Sequence, residues 1–80
     1  MNINENLINT LELKIARARK GVTQEDVARE LSISRQAYYL KEKGKRPFNM
    51  NEVKKLQALL NLVQNAIINI FFPNTSFSVM

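Results

Sequence analysis

The sequence predicts an all-α protein, a compact bundle of five short helices in one small domain. Apolar residues recur every three to four positions through most of the chain, which is the period of an α-helix. Threonine, serine, asparagine and glycine, which cap helices and form turns, separate these apolar segments. The length of 80 residues allows one folded domain and excludes a second. We therefore expect an N-terminal arm over residues 1–9, a domain over residues 10–72 and a C-terminal tail over residues 73–80.

The first helix is predicted over about residues 10–20. Its apolar stripe follows a helical spacing and consists of Leu11, Ile15, Ala18 and Val22. Gly21 ends the helix, because glycine most readily adopts the left-handed conformation at a helix C-terminus. Arg17 lies on the flank of the stripe. The asparagine-rich residues before this helix fit either a frayed arm or an early helical turn.

Two helix starts lie close together in the middle of the chain. Thr23 stands three residues before Asp26, the spacing of a capping box, so a second helix begins at Thr23. Its inner face carries Val27, Ala28 and Leu31. Ser32, Ile33 and Ser34 form a tight turn, because serine favours caps and turns over helix interiors. Ser34 then caps a third helix.

The third helix has two chemically different faces. At about 100° per residue, the inward face holds Ala37, Tyr38 and Lys41, and the outward face holds Arg35, Gln36, Tyr39, Leu40 and Lys43. The stem of Lys41 covers apolar surface while its ammonium reaches water. The guanidinium of Arg35 and the amide of Gln36 can pair with guanine and adenine edges in the DNA major groove. We therefore predict base contacts by these two residues, with Tyr39 and Leu40 in support.

These segments together resemble a known family. The motifs KGVTQEDVA, ISRQ and KEKGKRP, followed by a leucine-rich helix, lie within residues 13–62 and are similar to the Xre-like helix-turn-helix domains of phage repressors and Cro. The departures are Ser32, where many members have glycine, and Lys41, where many have an aliphatic residue. The resemblance implies a lambda-repressor-like fold and an ion pair between Arg17 and Glu42.

A basic segment follows the third helix. Residues 35–46 contain five cations and one anion, Glu42, so much of the net charge of +5 lies here. A loop of this kind can be merely solvated, but next to a base-reading helix it is suited to bind phosphates. At the start of the second helix, the Gln24 amide can bind a phosphate together with backbone N–H groups. We assign phosphate contacts to Gln24, Ser34, Lys43, Lys45 and Arg46.

The C-terminal third of the sequence is apolar and uncharged. Asn49 or Asn51 caps a fourth helix that carries Val53, Leu56, Leu59 and Leu60, and a fifth helix spans about residues 63–70. Residues 56–80 contain no charged side chain. The cluster Ile67, Ile68, Ile70, Phe71 and Phe72 exceeds what five short helices can enclose, so we predict a homodimer interface there. A purely internal core is the open alternative, and the tail over residues 74–80 is either disordered or contacts a partner chain.

The composition narrows the possible functions. The chain has no cysteine and no histidine, which argues against disulfides, zinc sites and acid–base catalysis, and we expect no cofactor, no metal and no enzymatic activity. A membrane span is disfavoured because amides interrupt the apolar segment. The opening residues MNINENLINT do not resemble a secretion signal, so we expect a cytoplasmic protein.

The predicted function is sequence-specific binding of double-stranded DNA. The resemblance implies a transcriptional regulator, and most simply a Cro-like dimeric repressor on a two-fold symmetric operator. The alternative is a protein-interaction module, for example of the antitoxin or repressor-binding kind, in which the apolar C-terminal surface binds another protein.

Overall fold

The computed structural model describes residues 8–73. Within this range the chain forms five α-helices and no strand: α1 Thr10–Lys20, α2 Gln24–Leu31, α3 Arg35–Glu42, α4 Met50–Leu60 and α5 Gln64–Phe71. The prediction of an all-α, five-helix fold is confirmed. Most of the predicted arm and all but the first residue of the predicted tail lie outside the described residues.

The residue before α1 is hydrogen-bonded to the last turn of α5. Asn9 caps α1 by accepting a hydrogen bond from Glu12 N, and its own N–H donates to Ile70 O over 2.7 Å. Ile8 packs against the core. Ile8 and Asn9, which we assigned to the arm, are therefore part of the packed domain.

The caps of α2 and α3 follow from their sequence. Thr23 Oγ1 accepts from Asp26 N over 3.0 Å, and the Asp26 carboxylate accepts from Thr23 N over 2.9 Å, which completes the capping box. Ser32 ends α2 in the left-handed conformation with φ of 60°. Ile33 packs partly buried against the core, and Ser34 Oγ accepts from Ala37 N to begin α3.

Asn49, and not Asn51, caps the fourth helix. Asn49 Oδ1 accepts from Glu52 N over 2.8 Å, while the Glu52 carboxylate accepts from Asn49 N over 2.9 Å. This second capping box decides between the two candidates. The last helix, α5, follows Val63, which makes no side-chain cap.

The core lies where all five helices meet. Its buried apolar residues are Leu13, Val27, Ala28, Leu31, Tyr38, Val53, Leu56, Leu60, Ile70 and Phe71. Three aromatic rings are in contact in this core. The ring centroids of Tyr38 and Phe48 are 6.1 Å apart, and those of Phe48 and Phe71 are 5.4 Å apart. These contacts join α3, the loop after it, and α5.

The inward face of α1 differs from the prediction. Leu11 is 63% exposed and Ala18 is exposed, whereas Leu13 is completely buried. The residues facing inward follow the helical spacing Leu13, Ala16 and Arg17. Arg17 belongs to this face because its guanidinium binds a buried carboxylate, so the residue placed on the flank of the stripe in fact lies on the core side.

Two residues of the predicted dimer interface are buried within the chain's own core. Ile70 is 2% exposed and Phe71 is 7% exposed, because both pack into the chain's own core and Phe71 stacks edge-on against Phe48. Neither side chain can offer much surface to a second molecule. Ile68 and Phe72 are 37% and 38% exposed, and Ile67 is partly buried against the core.

Among residues 8–73, no helix has the length and apolar character needed to cross a membrane.

Candidate nucleic-acid interface

The outward face of α3 presents three side chains that line one shallow hollow. Arg35 and Gln36, in the first turn, are exposed, and Tyr39, one turn later, is 40% exposed. Leu40 is partly exposed beside them. This is the arrangement predicted from the helical wheel, and it places a guanidinium, an amide and an aromatic ring on one surface.

The tyrosine of this face is in contact with a cation. Lys43 Nζ lies 5.4 Å from the centroid of the Tyr39 ring, a cation–π distance. The contact restrains two exposed side chains one turn apart. Arg35, Tyr39 and Lys43 thus stand at successive four-residue steps along one side of the helix.

The loop between α3 and α4, residues 43–49, begins with a regular helix-ending turn. Gly44 N donates to Lys41 O over 3.0 Å, and Lys45 N donates to Leu40 O over 2.9 Å. Gly44 has φ of 81°, a conformation that favours glycine. Lys45 and Arg46 follow and are both exposed. Their charged groups are therefore available at the C-terminal end of α3.

The start of α2 lies next to the start of α3. Residues 21–25 and Arg35 line a common hollow with Arg17. Gln24 lies there, and its Nε2 donates to Glu42 Oε1 over 2.7 Å. An amide nitrogen carries two hydrogens, so this bond leaves one for a further acceptor. Ser34 Oγ accepts from Ala37 N, and its hydroxyl hydrogen is still available as a donor.

A buried carboxylate holds α3 in place. Glu42 is completely buried and accepts hydrogen bonds from Arg17 Nε at 2.7 Å, Gln24 Nε2 at 2.7 Å and the Tyr38 hydroxyl at 2.9 Å. The guanidinium of Arg17 also donates to Val22 O. The structure thus contains the ion pair that the resemblance implied, and it adds two donors from α2 and α3.

The environment of Glu42 favours its ionised form. Burial alone raises the pKa of a carboxyl, but the hydrogen bonds from Arg17, Gln24 and Tyr38 outweigh burial and hold the pKa of Glu42 below its ordinary value. Burial, followed by the neighbouring Glu42 carboxylate, raises the pKa of the Tyr38 hydroxyl, which therefore remains a donor. Within the described residues, no buried side-chain nitrogen or oxygen lacks a hydrogen-bond partner.

The Lys41 ammonium, predicted to extend into water, is instead paired with a carboxylate. Its Nζ donates to both Glu52 oxygens, at 2.8 Å and 3.0 Å, and to Pro47 O at 3.2 Å, and its side chain is only 15% exposed. The Glu52 side chain is 9% exposed. The unusual lysine on the inner face of α3 is thus accommodated by a carboxylate on α4.

The Arg17–Glu42 and Lys41–Glu52 ion pairs determine which charges of the basic segment, residues 35–46, are exposed. Glu42 and Lys41 are both withdrawn from the surface, one by Arg17 and the other by Glu52. The exposed charges between residues 35 and 46 are then the four cations Arg35, Lys43, Lys45 and Arg46. Over this segment the surface is purely positive, which suits a polyanion.

Sequence reasoning missed the contacts that reach across helices. The bonds from Gln24 to Glu42 and from Lys41 to Glu52 span 18 and 11 residues and have no local signature. One signal was available for Glu52: an acidic residue three positions after Asn49 is the capping-box spacing. That signal identifies the start of α4, although it does not identify Lys41 as a partner.

Comparison with known proteins agrees with this architecture. A family model described as helix-turn-helix matches residues 13–63, which are 51 of the 80 residues. The chain is similar to the crystal structure of a hypothetical transcription factor, NHTF, from Neisseria, with a TM-score of 0.62, 17% identity and 86% of each chain covered. At that identity the likeness establishes the fold alone. No curated protein matches the chain in sequence. From the family match, the chain belongs to the Xre-like helix-turn-helix family and is a DNA-binding regulator of transcription.

Proposed function

We propose that this regulator binds a two-fold symmetric operator in double-stranded DNA as a homodimer and represses the promoter that the operator overlaps. The observation that carries the proposal is the outward face of α3. Arg35, Gln36 and Tyr39 are exposed together, while Glu42 on the opposite side is buried and held by three donors. A recognition helix needs this combination of exposed polar groups and a rigid support.

Each outward side chain fits one kind of base contact. The guanidinium of Arg35 can donate two parallel hydrogen bonds to guanine O6 and N7, and the amide of Gln36 can pair with adenine N6 and N7. Tyr39 and Leu40 offer apolar surface to a thymine methyl group. We assign sequence discrimination to Arg35 and Gln36, and supporting contacts to Tyr39 and Leu40.

The cations around this face fit the DNA backbone. Lys43, Lys45 and Arg46 lie beyond the C-terminal end of α3, and Gln24 and Ser34 lie at the starts of α2 and α3. Phosphate contacts on both sides of the helix set its register in the groove, although they carry no sequence information. Because they release counterions, they also make the affinity dependent on salt.

The dimer is proposed to form through the exposed side of α5. Ile68 and Phe72 are exposed, and Ile67 lies beside them partly buried. In the described domain, α5 packs on α1 and α4 and has no helix contact with α3, so pairing through α5 leaves the recognition helix accessible. The domain measures 36 × 28 × 20 Å, which is compatible with two copies placing their recognition helices one DNA turn, about 34 Å, apart.

Selection of bound duplexes from a random DNA pool, combined with the mass of the free protein in solution, tests the proposal. An enriched inverted repeat with half-sites one helical turn apart, together with a dimer mass, is the expected result. Enrichment of a single half-site by a monomer would contradict the dimer. A pool without enrichment would contradict base-specific binding.

The protein-interaction function uses the same apolar surface. Ile68 and Phe72 are the side chains that favour it, because they are exposed apolar groups on a segment without charge. In a partner-binding module, substitution at Ile68 leaves DNA affinity unchanged, whereas in a dimeric repressor it lowers DNA affinity. We propose no catalytic role and no cofactor, and we place the regulator in the cytoplasm with the DNA.

A further inference from the structure

We propose that Lys41 is a positioning residue of the DNA interface, and that it acts through Glu52 without touching DNA itself. In this inference, which rests on the proposed function, the Lys41 ammonium fixes the loop of residues 43–49 so that Lys45 and Arg46 face the phosphates. Lys41 lies in the same segment as four exposed cations, but it stands on the inward face of α3.

The Lys41 ammonium is hydrogen-bonded within the protein. Its Nζ binds Glu52 Oε1 at 2.8 Å, Glu52 Oε2 at 3.0 Å and Pro47 O at 3.2 Å. It also lies 5.8 Å from the centroid of the Phe48 ring. With 15% of its side chain exposed and its ammonium paired with Glu52, Lys41 offers a phosphate far less free charge than the exposed cations around it.

Glu52 serves two structural elements at once. Its Oε1 accepts from Lys41 and also from Asn49 N, where it completes the capping box of α4. The same carboxylate therefore ties the first turn of α4 to α3. Because Lys41 binds Pro47 O as well, the end of the loop is fastened to the helix at which the loop begins.

The loop is thus held at both ends by α3. At its start, Gly44 N and Lys45 N donate to Lys41 O and Leu40 O. Near its end, Pro47 O accepts from the Lys41 ammonium. Lys45 and Arg46, the exposed cations, lie between these two anchors. Loss of the second anchor releases this segment on one side.

The position of α3 itself does not depend on Lys41. Tyr38 and Glu42 are completely buried, and the Glu42 carboxylate joins α3 to Arg17 and Gln24. Removal of the Lys41 ammonium should therefore leave base readout by Arg35 in place. What should weaken is the set of phosphate contacts, which depends on the loop.

The sign of a single charge change separates positioning from direct contact. Glu52→Gln removes one negative charge, raising the net charge from +5 to +6, and glutamine can still cap α4. If Lys41 bound phosphate directly, this variant would bind DNA more tightly. If Lys41 acts through Glu52, the variant binds DNA less tightly although it is more positive.

The experiment compares DNA affinity and salt dependence of Glu52→Gln, Lys41→Met and the double variant, using a random-sequence duplex and the selected operator at temperatures where each protein is fully folded. We expect about tenfold weaker binding for Lys41→Met and about threefold weaker binding for Glu52→Gln, the scale of one lost phosphate contact. The double variant should lose less than the product of the two, because the residues form one unit. The matched control is Lys54→Met, which removes the same charge from an exposed site on α4.

Tighter or unchanged binding by Glu52→Gln would overturn the proposal, and so would a Lys41→Met variant that melts earlier but binds DNA normally. Hydrogen exchange in the free protein distinguishes a failure of the positioning role from a failure of the proposed DNA-binding function. The Lys45 amide, which donates to Leu40 O, should exchange faster in Lys41→Met and in Glu52→Gln but not in Lys54→Met. An unchanged exchange rate of the Lys45 amide in both variants would contradict the positioning role. If the Lys45 amide exchanges faster in these variants but the protein binds no DNA, Lys41 does hold the loop and the proposed DNA function is wrong.

Discussion

Arg17 in α1 donates to the Glu42 carboxylate at the end of α3 across 2.7 Å, and this contact joins the first helix to the helix that carries the candidate base-reading side chains. Glu42 is completely buried, whereas the Arg17 side chain is 20% exposed. The two partners of the ion pair therefore differ in their exposure to solvent. Loss of the arginine leaves a buried negative charge with only the neutral donors of Gln24 and Tyr38.

Replacement of Arg17 should destabilise the fold strongly. We expect Arg17→Met to lower the free energy of unfolding by about 3 kcal/mol, because breaking a buried pair leaves an uncompensated charge. Urea unfolding followed by circular dichroism measures the change. Arg19→Met, on the exposed side of the same helix, should change stability by less than about 0.5 kcal/mol. Equal effects of the two substitutions would mean that Glu42 is stabilised without Arg17.

The same carboxylate should make stability depend on pH in the acidic range. The pKa of Glu42 is lower in the folded protein than in the unfolded chain, so its contribution is complete above the unfolded value of about 4.3 and is lost as the pH falls through the folded value. Urea midpoints measured at several pH values should decrease below that point. Glu42→Gln should be less stable at neutral pH and should show a flatter acid profile. The residual slope reports other groups, such as Asp26, whose pKa is lowered by hydrogen bonds from Thr23.

The end of α2 offers a stabilising substitution. Ser32 has φ of 60°, a left-handed conformation that costs an L-residue free energy and costs glycine almost none. The serine side chain is exposed, so its removal costs no packing. Ser32→Gly should raise the free energy of unfolding by about 0.5–1 kcal/mol, as measured by thermal or urea unfolding. Ser32→Ala serves as the control, because alanine lacks the hydroxyl but retains the strained conformation. A gain in both variants would assign the effect to the hydroxyl instead.

Much of the fold could be predicted because its determinants are local. The Thr23 and Asp26 box, the Ser34 cap and the left-handed Gly21 each depend on residues within one helical turn, and each is found where the sequence places it. The outward position of Arg35 and Gln36 also follows from helical periodicity alone. Signals of this range can be evaluated without knowing where other helices lie.

The remaining features depend on which helices meet. Five of the six residues from 67 to 72 are apolar, so periodicity cannot tell which side of α5 is covered, and the structure buries Ile70 and Phe71 while leaving Ile68 and Phe72 exposed. The partner of Lys41 could not be predicted for the same reason. The partner carboxylate, that of Glu52, stands on α4, and only the fold brings the start of α4 within reach of the Lys41 ammonium.

Base readout and phosphate binding should separate in a mutational comparison. Arg35→Ala is expected to lose about 1–3 kcal/mol on the selected operator and little on random duplex. Lys45→Ala should weaken binding to both DNAs equally and reduce the slope of log affinity against log salt by about one. Fluorescence anisotropy over a salt series measures both quantities. If the two variants lose affinity by equal amounts on both DNAs, the assignment of separate roles is wrong.

The proposed dimer can be tested with a substitution that simple electrostatics would expect to favour DNA binding. Ile68→Lys places a positive charge on the exposed side of α5, where in a symmetric interface it would face its own copy. We expect the solution mass to fall to that of a monomer and operator affinity to drop on the order of 100-fold, since two half-sites are then no longer bound together. Met50→Lys adds the same charge at a site that is 58% exposed and should leave the mass unchanged. A dimer that persists in Ile68→Lys would place the interface elsewhere, and a monomeric wild-type protein with unchanged DNA affinity in Ile68→Lys would favour the protein-interaction function.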